Sequence, residues 1–140
     1  MKHPVIFNIY FSILIALSPS LLAQTARLYD SGSGLPNTQI NEVFQGGNGM
    51  LWIATNNGLY RFDGINFLEF RHDRDKANSL GSDLVLKVLE DSRGVTWVGT
   101  STGLQTFDPD TNAFTDVPLD GSERTHFIYG LEEIPQGQGK

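Results

Sequence analysis

Cysteine is absent from the 140 residues of this chain, and positive charge is scarce. Without cysteine there can be no disulfide and no thiolate metal ligand, so packing and hydrogen bonds alone must hold the fold together. Ten lysines and arginines are outnumbered by sixteen aspartates and glutamates, which gives a net charge of −6. Nucleic acids and anionic membrane surfaces are bound through concentrated positive charge. We therefore expect neither as a partner.

Long apolar runs are also scarce, and the clearest one lies at the N-terminus, at Val5–Leu22. Pro19 interrupts this run, and the small residue Ala23 follows it. The pattern is typical of a secretory signal peptide, residues 1–23, that is cleaved after Ala23. The alternative is an uncleaved anchor, because Val5–Leu22 is nearly long enough to span a membrane. Either way we expect export, with a bacterial periplasm as the compartment.

A repeat dominates the rest of the chain. The string GMLWIATNNGLYRFDG at residues 49–64 recurs 45 residues later as GVTWVGTSTGLQTFDP at residues 94–109. A period of 45 residues matches one four-stranded β-propeller blade. Between Leu51–Asp63 and Thr96–Asp108, the identical positions are Trp52, Thr55, Gly58, Leu59, Phe62 and Asp63 in the first copy, and Trp97, Thr100, Gly103, Leu104, Phe107 and Asp108 in the second.

Within each copy, runs of β-forming residues alternate with turn signals such as Asn56-Asn57-Gly58 and Asp63-Gly64. This pattern predicts an all-β fold of antiparallel propeller blades. A helix over Val85–Glu90 is the alternative, but the turns on either side lie too close together for one. The predicted strands are 40–45, 50–55, 59–62 and 67–70 in one blade, and 85–90, 95–100, 104–107 and 114–117 in the next.

The predicted organisation follows from these strands. Residues 24–39 form an N-terminal strand, at Arg27–Asp30, and a loop; residues 40–83 form the first blade and 84–126 the second; residues 127–140 begin a third, with a strand at Phe127–Glu133. Leu35 and Leu80 stand 45 residues apart, and each is expected to plug the loop that enters a blade. The charged run Arg71–Lys76 is expected to be a solvated loop between blades.

Propellers protect their sheet edges by closing into a ring, and two blades cannot close one. We therefore expect association with copies of the same chain, or with further blades of a longer sensor. The apolar residues expected near the uncovered faces are Ile40, Val43, Leu51 and Ile53 at one end, and Val85, Val88 and Val98 at the other.

The repeats resemble the two-component regulator propeller repeat, whose pattern is similar to I-x-E-D-x-x-G-x-L-W-I-G-T-x-x-G-L-x-R-F-D. Gln45-Gly46 departs from its Glu-Asp pair, and Thr96 from its leucine. The resemblance implies a periplasmic sensor region of many blades, followed by a membrane span and a kinase or cyclase output, that detects extracellular glycans or other small molecules. These 140 residues contain no such output domain. The positions that fall on the pattern in the second copy are Glu90, Asp91, Gly94, Trp97, Gly99, Thr100, Gly103 and Leu104.

No catalytic, cofactor or metal site is predicted. Asp108–Asn112 opens like a calcium loop, but Ala113 and Leu119 stand where that loop needs glycine and glutamate, which favours an ordinary Asx turn. The three histidines, His3, His72 and His126, lack the spacing of zinc ligands.

The two tryptophans have two interpretations. Trp52 and Trp97 can be platforms that stack on sugars, or core residues of their blades. Their recurrence at one repeat position favours the core, where burying each ring removes about 150–250 Å² from water.

Three hypotheses for function remain. The favoured one is a non-enzymatic sensor module that binds a ligand. The alternative is a propeller enzyme of the lyase or hydrolase type, for which the channel loops offer only Asn37, Thr38, Ser82 and Asp83. A truncated gene product without independent function is the third.

Cleavage of the signal segment is testable directly. N-terminal sequencing of the protein from the cell envelope is expected to begin at Gln24, because the apolar run ends in a small residue that suits signal peptidase. A sequence that begins at Met1 would support the membrane anchor instead.

Overall fold

A computed structural model of the chain describes residues 28–29, 32, 34–35, 39–119 and 126–134. These residues form eight strands: β1 (Ile40–Gln45), β2 (Leu51–Thr55), β3 (Gly58–Phe62), β4 (Phe67–Phe70), β5 (Val85–Glu90), β6 (Thr96–Thr100), β7 (Leu104–Asp108) and β8 (Ala113–Val117). The strands make two open, four-stranded antiparallel sheets with the orders β1-β2-β3-β4 and β5-β6-β7-β8, here called blade 1 and blade 2. The described residues contain no α-helix, and the predicted all-β fold is confirmed.

All eight predicted strands are present, with bounds that differ from the predicted ones by at most one residue at each end. The alternative of a helix at Val85–Glu90 is wrong, because this segment is β5 and pairs with β6. The register of the first strand pair shifts between Ile40 and Glu42 in blade 1, and between Val85 and Lys87 in blade 2. A bulge at the same repeat position gives the two blades a similar local twist.

The turn between the second and third strands explains why threonine and glycine recur in the repeat. The Thr55 hydroxyl donates to the carbonyl oxygen of Gly58 at 2.8 Å and accepts from the backbone N–H of Asn57 at 2.9 Å. In blade 2, Thr100 makes the same two contacts with Gly103 and Thr102, at 3.1 and 3.2 Å. Both threonines are buried, so each hydroxyl satisfies backbone groups that have little access to water.

The two blades stack face to face on a shared apolar core. Successive strand residues point to opposite faces, so only alternate residues of each blade enter this interface. The expectation that Leu80 plugs the loop entering blade 2 is confirmed, since it is fully buried, whereas Leu35 is half-buried. The core consists of Trp52, Ala54, Leu59 and Phe70 from blade 1, Val85, Val88, Val98, Phe107 and Phe114 from blade 2, and Leu80.

The expected apolar end faces need correction. Val85, Val88 and Val98 do not lie on an uncovered face; they are buried against blade 1, because their side of β5 and β6 is the side that meets Trp52. Ile53 is buried as well. On its side of blade 1, the Tyr29 ring packs edge-on against Phe62 and Phe67, with centroid distances of 4.8 and 6.0 Å.

Of the four residues expected near that end, Leu51 is half-buried. Ile40 and Val43 are 43% and 56% exposed. The apolar surface that remains at this end therefore lies on the innermost strand, β1.

The two flanking strands that the sequence predicted are not formed in the described residues. Leu28 and Tyr29 lie outside any strand. Tyr29 contacts blade 1 through its ring. Residues 126–134 also form no strand, and they contact blade 2 through hydrogen bonds to Thr100 and Ser92. The predicted signal segment 1–23 lies outside the described residues, and none of those described forms a helix with the length and apolar character that a membrane crossing needs.

Two turn glycines, Gly58 and Gly64, differ in what an added side chain would meet, so their substitution distinguishes the cost of a steric clash from the cost of backbone strain. A Cβ at Gly58 would lie 2.7 Å from the carbonyl oxygen of Phe70, whereas a Cβ at Gly64 meets nothing within 4 Å. Both glycines have positive φ, 109° and 97°. We expect Gly64→Ala to cost about 1–2 kcal/mol of unfolding free energy from strain alone, and Gly58→Ala to cost more. Urea unfolding midpoints at constant m-value measure the difference, and equal losses would contradict the packing described for Gly58.

Candidate functional site

The turn between β5 and β6 is organised by the carboxylate of Asp91, which is only 9% exposed. It accepts hydrogen bonds from the backbone N–H groups of Arg93 and Val95, both at 3.0 Å. It also accepts from the Arg93 guanidinium at 2.7 Å and from the indole N–H of Trp97 at 3.1 Å. The hydrogen bond from Arg93, with help from Trp97 and the backbone, holds the pKa of Asp91 well below its usual range. Asp91 thus fixes the orientation of the Trp97 ring.

Trp97 lies on the face of blade 2 opposite its contact with blade 1, because its neighbour Val98 points into the shared core. Together with Leu89 and Leu104 it forms one wall of an open cleft of about 920 Å³. The facing wall comes from segment 126–134 and consists of Leu131, Glu132, Glu133 and Ile134. We call this feature the Trp97 cleft. Its lining combines the Trp97 ring with three carboxylates, those of Asp91, Glu132 and Glu133, and with the Arg93 guanidinium.

Segment 126–134 is attached to blade 2 at both ends. Near its start, the backbone N–H of Ile128 donates to the carbonyl oxygen of Thr100 at 3.2 Å, and the Ile128 side chain packs directly over Gly99. Near its end, the carboxylate of Glu133 accepts from the backbone N–H of Ser92 at 2.8 Å and from its hydroxyl at 2.5 Å. The segment between these attachments borders the cleft.

An equivalent contact, from a glutamate carboxylate to the backbone of a turn, joins blade 2 to blade 1. Glu90, at the end of β5, accepts from the backbone N–H of Gly47 at 2.9 Å. Gly47 and Ser92 are 45 residues apart and occupy the same turn of their blades. In both cases, a glutamate near the start of one repeat accepts a hydrogen bond from the first turn of the preceding repeat. The role of Glu90 is therefore to join the two blades. Sequence reasoning missed this contact, although Glu90 falls on the repeat pattern.

Trp52 and Trp97 occupy equivalent positions in different surroundings. Trp52 is 3% exposed, stacked on Phe70 at 6.0 Å and met edge-on by Phe107 of blade 2 at 5.0 Å. Trp97 is only half-buried. The core prediction is therefore confirmed for Trp52, whereas Trp97 is only partly buried and lies outside the core cluster. The reason is that a whole blade covers Trp52, whereas among the described residues segment 126–134 lies on the face of Trp97.

A polar contact near the innermost strands also links the blades. Glu42 forms an ion pair with Lys87 at 3.0 Å and accepts from the backbone N–H of Val88 at 2.7 Å. The amide of Asn41 donates to the carbonyl oxygen of Val85 at 2.6 Å. Lys87 is the repeat equivalent of Glu42, so the charge reverses between blades, and the repeat alone did not indicate the pairing.

The two repeat aspartates outside the cleft are turn residues. Asp63 accepts from the backbone N–H groups of Ile65 and Asn66 at 2.8 and 2.7 Å. Asp108 accepts from the N–H of Asp110 at 2.9 Å and from the Thr111 hydroxyl at 2.7 Å, which is an Asx turn. Within the described ranges, no group of three or more potential ligand side chains is placed to hold a metal ion.

The residues suggested for catalysis make structural contacts where they are described. The Ser82 and Ser101 hydroxyls are hydrogen-bonded at 2.8 Å, and the Asp83 carboxylate accepts from the backbone N–H of His72 at 2.8 Å. Asn37 and Thr38 lie outside the described residues. Asp83 also pairs with the Arg71 guanidinium at 3.5 Å, and the same guanidinium pairs with Glu69 at 3.0 Å, so these two carboxylates are held by one cation.

Part of the chain matches a known propeller family in sequence. Residues 34–57 match the sequence model of a family described as two component regulator propeller. This match confirms the resemblance over the first turn and β1 to the hairpin after β2. No curated protein matches the chain.

Solved structures extend the likeness to both blades. The chain is similar to the extracellular domain of BT3049 from B. thetaiotaomicron, named as a hybrid two component system, with 26% identity and a TM-score of 0.57 over 64% of this chain and 13% of that one. It is also similar to the extracellular domain of BT4673 from the same organism, named as a one component system, with 22% identity and a TM-score of 0.55 over 68% and 13% of the two chains. At that identity the second likeness shows the fold alone. The chain thus spans a small part of each relative.

The unequal burial of the tryptophans leads to a paired prediction. Trp52→Ala is expected to lower the free energy of unfolding by about 3–5 kcal/mol, because it empties a packed site between blades. Trp97→Ala is expected to cost clearly less, since its side chain is already partly exposed to solvent. Chemical denaturation of the two variants measures the difference. A loss at Trp97 equal to or above that at Trp52 would contradict the burial described here.

The Asp91 network gives a prediction for pH. The folded-state pKa of Asp91 is lowered, so the stability that Asp91 contributes is complete above the unfolded-state pKa of about 3.9 and disappears as the pH falls through the folded-state pKa. Asp91→Asn is therefore expected to be less stable than the wild type at pH 7, with a gap that narrows below about pH 4. Asp110→Asn, at an exposed position, is the control. A gap that is constant over this range would contradict the account.

Proposed function

We propose that this chain is a non-enzymatic, exported propeller module that binds a ligand as part of the sensor region of a two-component receptor. The observation that carries the proposal is the stacking of two blades that bear the regulator-propeller repeat, one of which matches the family's sequence model. The likeness to an extracellular domain named as a hybrid two component system supports the same function and the same side of the membrane. The ligand class is an extracellular glycan or another small molecule.

The arrangement suits binding better than catalysis. General acid–base work needs titratable groups within hydrogen-bond reach of one reacting atom. The most strongly perturbed carboxylate, Asp91, instead accepts five hydrogen bonds from its own turn and from Trp97. Tyr60, whose pKa is raised by burial and by its hydrogen bond to Glu69, lies within blade 1 and donates at 2.5 Å. Both groups serve the fold.

An equilibrium binding screen tests the proposal against the enzyme alternative. The chain is mixed with a panel of oligosaccharides from extracellular polysaccharides, its thermal midpoint is recorded, and each ligand is recovered for mass spectrometry. A binder is expected to raise the midpoint as its concentration exceeds the dissociation constant, and to be recovered with unchanged mass. Accumulation of smaller or unsaturated products would overturn the proposal in favour of a hydrolase or lyase.

A further inference from the structure

We propose that the segment containing Leu28 and Tyr29 is the outermost strand of a further blade, and that its backbone edge pairs with a three-stranded sheet of the same repeat. The inference concerns the assembly of the propeller and does not depend on which ligand the module binds. It comes from comparing the ring of Tyr29 on blade 1 with the ring of Phe70 on blade 2.

The two blades show how an outermost strand lies against the blade that follows it. Phe70, at the end of β4, meets the Phe107 and Phe114 rings of blade 2 edge-on, at centroid distances of 5.2 and 5.5 Å. Phe107 and Phe114 are cross-strand partners in β7 and β8. The outermost strand of blade 1 therefore places one aromatic ring against a pair of rings on blade 2.

Tyr29 makes the same contact with the corresponding pair on blade 1. Phe62 and Phe67 are cross-strand partners in β3 and β4, at the same place in their blade as the pair of blade 2. The Tyr29 ring meets both edge-on, at centroid distances of 4.8 and 6.0 Å. Tyr29 thus lies on blade 1 as Phe70 lies on blade 2, which is the position of an outermost strand from a preceding blade.

The order of features along the chain agrees with this position. Phe70 is followed by the loop that carries Leu80, and then by β5. Tyr29 is followed by the loop that carries Leu35, and then by β1. The second loop also runs over the ring pair of blade 1, because a Cβ at Gly34 would lie 3.3 Å from one of its ring carbons. Outermost strand, entry loop and innermost strand therefore follow one another in both cases.

The backbone at Leu28 and Tyr29 has no strand partner among the described residues. In blade 1 the outermost strand β4 pairs with β3 alone, so a strand in this position needs one neighbour in order to form. Tyr29 is anchored through its ring, whereas Leu28 is 88% exposed. Successive strand residues point to opposite faces, so an apolar Leu28 suits a strand that is covered on its second face as well. An anchored segment with an unpaired backbone edge is a site at which a sheet can be added.

The apolar surface beside the segment defines the partner. Val85 and Val88 of blade 2 are buried against blade 1, whereas their repeat equivalents Ile40 and Val43 are 43% and 56% exposed. A sheet of this repeat that pairs with the segment would lie on the same face of blade 1 and cover both residues. A four-stranded blade already has its outermost position filled. The partner is therefore a sheet that carries the first three strands of the repeat.

Strand complementation between two chains tests the pairing. The acceptor is a shortened chain that ends at Asp110, so that blade 2 keeps β5–β7 and loses β8. It also carries Tyr29→Asp, so that it cannot supply its own segment. The donor is the full chain. We expect light scattering to show a one-to-one complex, with slower hydrogen exchange at the Leu28 and Tyr29 amides of the donor and shifted methyl resonances of its Ile40 and Val43.

Matched variants of both chains locate the contact. Tyr29→Asp in the donor is expected to weaken the complex at least about tenfold, whereas Tyr129→Asp, at a position that is 71% exposed, should leave it unchanged. An acceptor that ends at Pro118 keeps β8, is otherwise identical and is expected not to bind. No complex with a folded acceptor, equal binding to the two acceptors, or binding that is insensitive to Tyr29→Asp would overturn the inference.

If the shortened acceptor does not unfold cooperatively, the wild type decides. Tyr29→Ala is expected to lower the urea midpoint of the full chain, because it removes a ring packed on blade 1, and Leu28→Ala to leave the midpoint unchanged. Equal midpoints for the wild type and Tyr29→Ala would overturn the inference. A dimer of the wild type that Tyr29→Asp dissociates would assign the edge to a complete second copy of the chain, and would overturn it as well.

Discussion

The contact between the blades, centred on Trp52, is the interaction on which the rest of this structure depends. A four-stranded sheet with apolar residues on both faces is unstable alone in water, since each face must be covered by another layer. Phe107 and Phe114 of blade 2 and Phe70 of blade 1 provide that cover around Trp52, with centroid distances of 5.0–6.0 Å along the chain of contacts. Arg61 extends the cover at the rim of the interface. In blade 1, the repeat tryptophan is therefore the residue around which the two blades pack.

Polar contacts then fix how one blade lies on the next. Apolar packing is non-directional and tolerates sliding, whereas Glu90 bound to the Gly47 turn, and Glu42 bound to Lys87 and Val88, each require one register. Glu133 repeats the first of these contacts on the Ser92 turn. Segment 126–134 therefore attaches to blade 2 as blade 2 attaches to blade 1, although it pairs with no strand. The Trp97 cleft lies between these two parts.

The repeat made most of the fold predictable. Strand positions follow from local alternation and turn residues, and two copies reinforce each other, so all eight strand bounds lie within one residue of expectation. The contacts between the two blades could not be predicted from the sequence in the same way. The burial of Val85, Val88 and Val98 depends on which face meets the neighbour, and the pairing of Glu42 with Lys87 reverses charge within the repeat. The partial exposure of Trp97 was not predicted, because its identity with Trp52 in the repeat indicated the same surroundings for both residues.

A double-mutant cycle between Trp52 and Phe107 tests the central claim most directly, because these rings belong to different blades and meet 5.0 Å apart. Unfolding free energies are measured for the wild type, Trp52→Leu, Phe107→Leu and the double variant. We expect a coupling energy of about 0.5–3 kcal/mol, as is usual for residues in contact. Additive effects, within about 0.3–0.5 kcal/mol, would contradict the account that the two blades are held together through this contact.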